Sequence, residues 1–152
     1  MGSKQGKAKK IIKVIISWLL FIGYLIVLSY FLFFSEYYGR TEMSEEYRYN
    51  LTLFAEIRRF IMYRDVLGYR AVMVNLVGNV LAFLPLGIML PILNRKDVRC
   101  LRVLTSALLL SGLIEFLQLT YRVGIFDVDD IFLNTVGAVL GYFVYRLFHP
   151  RA

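Results

Sequence analysis

The chain predicts an all-α integral membrane protein with four transmembrane helices, both termini in the cytoplasm, and an outer-leaflet interfacial helix in the first extracellular loop. Three observations lead there. The first is composition: 59% hydrophobic and 16% aromatic residues in 152 exceed what a soluble domain of this size can bury. The second is four nearly uncharged stretches: Val14 to Ser35, Ala71 to Leu93, Val103 to Ile114 continuing past Glu115, and Ile131 to Tyr145. At about 1.5 Å per residue these reach across a bilayer or nearly so, the last with help from Arg146 snorkelling to the surface. The third is the placement of charge. Five lysines precede the first stretch (Lys4, Lys7, Lys9, Lys10, Lys13). Arg95, Lys96, Arg99 and Arg102 against Asp97 follow the second, and Arg146 and Arg151 end the chain. Under the positive-inside rule these basic ends are cytoplasmic. The loop after the first stretch and the short turn at 121–130, which carries three aspartates against one arginine, then face outward.

The helices are expected at about 12–35, 71–93, 101–120 and 130–148, with an outer loop at 36–70, all in one domain over 1–152. The first stretch is too long, and too poor in small residues after it, for a cleaved signal, so it reads as an anchor. In the outer loop Leu51, Phe54, Ile57 and Ile61 recur at helical spacing, and six tyrosines (Tyr37, Tyr38, Tyr47, Tyr49, Tyr63, Tyr69) suit the membrane-water boundary. The net charge of +7 lies at the cytoplasmic ends rather than in one patch, which argues against nucleic acid as a partner. Cys100 is the only cysteine, so an intrachain disulfide and a cysteine metal site are both excluded. The single histidine, His149, lies at the cytoplasmic end. A histidine triad or proton relay on the outer side is therefore excluded.

Against this apolar background the polar residues are costly: a central Asp, Lys or Arg costs on the order of 2.5–3.5 kcal/mol. At about 100° per residue Ser111, Glu115, Gln118 and Arg122 share one stripe of the third helix. Asp127, Asp130 and Asn134 share another on the fourth, with Asp129 on its opposite side, and Asn75 and Asn79 a third on the second. The topology puts all three in the outer half of the membrane. They are expected to line one outward-opening pocket, with Asn75, Asn79 or Asn134 as partners for Glu115 and the 50–64 segment as a flap. A network serving only to lock the helices is the structural alternative. Glu115, Asp127 and Asp130 are the candidate catalytic groups if the site is an enzyme's, because a greasy setting raises a carboxyl pKa and suits acid-base work. Asp127-Val128-Asp129-Asp130 has the oxygens for a hard cation but is unspecific, no metal site is assigned, and nothing names a cofactor. Gly137-x3-Gly141 reads as a helix-packing motif, and Pro85 either as a kink that opens space near Asn79 or as a proline the membrane helix simply tolerates.

The run Asn75-x2-Gly78-Asn79, Phe83-Leu84-Pro85-Leu86-Gly87, Glu115-x2-Gln118, Asp127-x2-Asp130 and Asn134-Thr135-x-Gly137 resembles the VanZ-like family of small bacterial membrane proteins. Arg48-Tyr49-Asn50-Leu51-x2-Phe54 is similar to the family's element before the second helix, with Leu53 where proline is usual, and brings Arg48 and Asn50 into the candidate site. The resemblance spans about residues 48–142. It implies a multi-pass protein of the bacterial cytoplasmic membrane and a role like that of the founding member, which lowers susceptibility to teicoplanin, a lipoglycopeptide antibiotic. Membrane lipids, a lipid-linked cell-wall precursor or the antibiotic itself are then the expected partners. Two functions follow: a pocket that binds a lipid-linked or amphiphilic molecule, or a carboxylate- or metal-dependent enzyme modifying an envelope lipid or glycan.

Overall fold

The computed structural model describes residues 2–34, 47–94 and 98–150. Tyr37, Tyr38, the Arg95-Lys96-Asp97 segment and Arg151, all used in the sequence reading, lie outside the described residues. Four helices are long and apolar enough to cross a membrane. They are α1 (Gly2–Phe33), α4 (Tyr69–Leu93), α5 (Cys100–Tyr121) and α6 (Val128–Phe148). The expected helices differ from them mainly at the start of α1, which begins in the lysine-rich segment because lysine is a good helix former.

Between α1 and α4 lie a two-residue strand β1 (Tyr49–Asn50) and two short helices, α2 (Ala55–Met62) and α3 (Arg64–Leu67). The helical spacing that begins at Leu51 becomes a helix only at Ala55. Asn50 Oδ1 accepts from Thr52 N at 3.0 Å, and Phe54 takes the left-handed conformation at φ 66, so the residues before Ala55 form a turn instead. Gly68 at φ 84 lets the chain change direction between α3 and α4. The all-α expectation also misses a parallel bridge between β1 and β2 (Phe126–Asp127), which pairs Tyr49 with Phe126 and Asn50 with Asp127. Two residues per strand leave no alternating pattern to read.

The core lies among α4, α5 and α6, where Phe83, Val103, Ala107 and Ala138 are fully buried. α4 and α6 approach until backbone meets backbone. A Cβ at Gly137 would lie 2.8 Å from Val80 C, one at Gly87 2.7 Å from Ala138 C, and one at Gly141 3.0 Å from Leu84 C. Gly137-x3-Gly141 is therefore the packing seam its spacing suggests. α1 rests more loosely on α4; Leu28 is its one buried residue among those described. Ile15, Leu19, Ile26, Leu109 and Leu147 belong to a broad apolar surface that suits lipid and would be a liability in water.

Candidate functional site

Glu115, 2% exposed on α5, accepts a hydrogen bond at Oε2 from the backbone N–H of Asp127 at 3.0 Å. This backbone partner, which helical spacing did not announce, fastens the start of α6 to α5. Asp127 is the N-cap of α6: its Oδ1 accepts from Asp129 N at 2.9 Å and from Asn50 Nδ2 at 3.0 Å. Burial pushes the Asp127 carboxyl above its ordinary pKa, while the hydrogen bonds from Asp129 N and Asn50 pull it down. Phe126 N donates to Arg48 O at 3.0 Å, so Arg48 contributes its backbone while its side chain is exposed.

Asp129 plays a part that its place on the opposite side of α6 did not announce. Its carboxylate accepts from the backbone N–H of Phe54, of Glu56 at 2.8 Å and of Ile57 at 3.1 Å. It thus caps α2 from more than seventy residues away in sequence, satisfying amides that a helix start leaves open. The T-shaped contact of Phe54 with Phe132 at 5.2 Å reinforces the same junction. Asp129→Ala is expected to release α2, losing about 1–2 kcal/mol of local stability. Amide exchange at Phe54, Glu56 and Ile57 should then accelerate while α4 stays protected; unchanged exchange there would rule out this cap.

Below this cap, a cavity of about 300 Å³ opens between α1 and α4, with α5 and α6 behind it. Asn75, Asn79, Glu115, Asp130 and Asn134 line it, as do Pro85 and, from α1, Tyr24. Asn79 Nδ2 donates to Asp130 Oδ1 at 2.6 Å, joining α4 to α6. Asn134 Nδ2 donates to Ser111 Oγ at 2.8 Å, joining α6 to α5, and Asn75 Nδ2 returns to Ala71 O on its own helix at 2.8 Å. Tyr24 Oη donates to Ala82 O at 2.8 Å, in the turn of α4 that Pro85 loosens because proline has no N–H to offer Leu81 O. A phenol in the middle of an apolar span needs an acceptor, and that was the available signal for Tyr24.

Five of the ten expected site residues therefore meet at the cavity, and Asp127 and Asn50 meet in the cap above it. Gln118, 1% exposed, donates to Leu32 O at 2.9 Å near the end of α1, while its Oε1 has no partner among the described residues. Arg122 leaves the α5 stripe: at φ 57 it turns out of the helix, and its guanidinium stands 4.6 Å over the exposed Tyr47 ring. Among the described residues no three carboxylate, thiol or imidazole groups converge as metal ligands.

A family model described as VanZ/LLP1 matches residues 21–149. Protein VanZ of Enterococcus faecium is 34% identical over 73 residues, which cover 48% of this chain and 45% of the relative. The chain thus matches slightly less than half the length of that relative. No solved structure matches.

Proposed function

Because the chain belongs to the VanZ/LLP1 family, we propose that this multi-pass membrane protein of the bacterial cytoplasmic membrane lowers susceptibility to lipoglycopeptide antibiotics such as teicoplanin. It does so by holding the polar part of a lipid-linked or amphiphilic molecule in the cavity between α1 and α4. The observation that carries the reading is the cavity itself: five acidic or amide side chains and the Tyr24 phenol at its wall, in the interior of helices otherwise dressed for lipid. The basic residues around α1 and after α4 support cytoplasmic termini, which would put the α2 cap and the cavity on the outer side, with α2 against the outer leaflet. A membrane lipid, a lipid-linked wall precursor or the antibiotic itself then reaches the site from that leaflet.

A catalytic use of the same carboxylates finds less support. Ser111 Oγ accepts from Asn134 rather than facing a base, and Glu115 is engaged by the Asp127 amide.

Expression in a sensitive Gram-positive host should raise the inhibitory concentration of teicoplanin severalfold and leave vancomycin, which lacks the lipid tail, unchanged. Glu115→Gln at matched protein level should lose that protection. Equal sensitivity to teicoplanin with and without the protein would remove the resistance role.

A further inference from the structure

A second cavity, of about 480 Å³, lies at the opposite end of the bundle, framed by the start of α1 and the ends of α4 and α6. Buried Pro91 and half-buried Val14 and Leu93 give it an apolar wall. His149 stacks on Tyr145 with ring centroids 4.5 Å apart, which fixes one aromatic side. Lys13 brings the charge. Among the described residues no carboxylate pairs with Lys13, and none lines the cavity. Five of the chain's six lysines fall in residues 4–13, so this end of the molecule sits in a positive field. Trp18 lies on the same face of α1 five residues on, about 7–8 Å farther along the helix at 1.5 Å per residue. Trp18 and Ile92 also line the cavity and are 48% and 45% exposed on the apolar surface, so it opens sideways to lipid as well as to water.

We infer that this second cavity binds the head group of an anionic phospholipid such as phosphatidylglycerol, with Lys13 against the phosphate and an acyl chain running along α1 past Trp18. A cation without a carboxylate beside it favours a net negative head group. The exposed apolar rim favours a lipid over a free anion, and the step from lysine to tryptophan matches the step from head groups to the start of the acyl chains. No described residue lines both cavities, so the site stands apart from the antibiotic role.

Trp18 is the chain's only tryptophan, so its fluorescence reads this site without a label. The intact protein is placed in phosphatidylcholine nanodiscs doped with lipid brominated on its acyl chains, because bromine quenches indole on contact. Brominated phosphatidylglycerol should quench Trp18 as fully as about fivefold more brominated phosphatidylcholine, the enrichment that one cation near the membrane surface supplies. Lys13→Gln should remove the excess. Arg102→Gln takes the same charge from the same end of the molecule, but from α5, outside the described lining of the cavity, and should keep it. Quenching by brominated phosphatidylcholine in both variants checks that the indole still lies in the bilayer. Equal quenching of the unmodified protein by the two lipids would overturn the proposal. So would loss of the excess in both variants, the mark of a diffuse surface attraction. Loss of the excess on adding millimolar inorganic phosphate would also overturn it, by assigning the cavity to a free anion.

Discussion

Gly137→Ala is expected to destabilise the protein strongly, as is Gly87→Ala on the facing helix, and Gly137→Leu to prevent its accumulation in the membrane. A Cβ at Gly137 points at the backbone of Val80, which cannot rotate away as a side chain would. α4 and α6 must then separate. Overpacking of this kind costs about 1–3 kcal/mol, and separation would also pull Asn79 from Asp130, which now bond at 2.6 Å. Gly112 supplies the control: a Cβ there meets nothing within 4 Å, so Gly112→Ala should be neutral or stabilising by up to about 1 kcal/mol through helix propensity. Thermal unfolding in detergent compares the two. Equal melting temperatures for Gly137→Ala and Gly112→Ala would mean that the helices do not touch at this seam.

The second large effect is expected at Glu115. Glu115→Leu removes the acceptor of the buried Asp127 N–H, and a hydrogen bond to an ionised or buried polar group carries about 1.5–3 kcal/mol. The loss should spread to the cap, because Asp127 also holds Asn50 through its side chain and bridge. Glu115→Gln keeps an oxygen for that amide, so it should retain most of the stability while losing the carboxylate at the cavity. Hydrogen exchange at Asp127 separates the two: fast in Glu115→Leu, slow in Glu115→Gln. Protection that survives in Glu115→Leu would show that this amide is held by something other than Glu115.

The four spanning helices were legible because an apolar run of bilayer length states its own structure, and the small residues at Gly137 and Gly141 likewise state where two helices can meet. The spacing of Asn75 with Asn79, and of Asp130 with Asn134, was enough to bring those stripes to one cavity, since helical periodicity and alternating direction leave them few other places. What periodicity does not carry is which donor meets which acceptor. Glu115 receives a backbone amide, because the turn before α6 delivers the Asp127 N–H to it. Asp129 and Tyr24 were missed for the same reason: their partners, the amides of α2 and the carbonyl of Ala82, are main-chain atoms whose availability depends on local turns and a proline. Arg122 was misplaced on its stripe because one left-handed residue ends the helix and redirects the side chain.

The capping of α2 by Asp129 also imposes an order on assembly during synthesis. The amide of Phe54 leaves the ribosome 75 residues before the carboxylate that will receive it. At about 5–20 residues per second that is a wait of roughly 4–15 s. Through that interval the β1–α2 segment is a strand without its mate and a helix without its cap. This end of the protein can close only after the last hairpin has been threaded, so α6 acts as the clasp that completes a structure begun by the first loop.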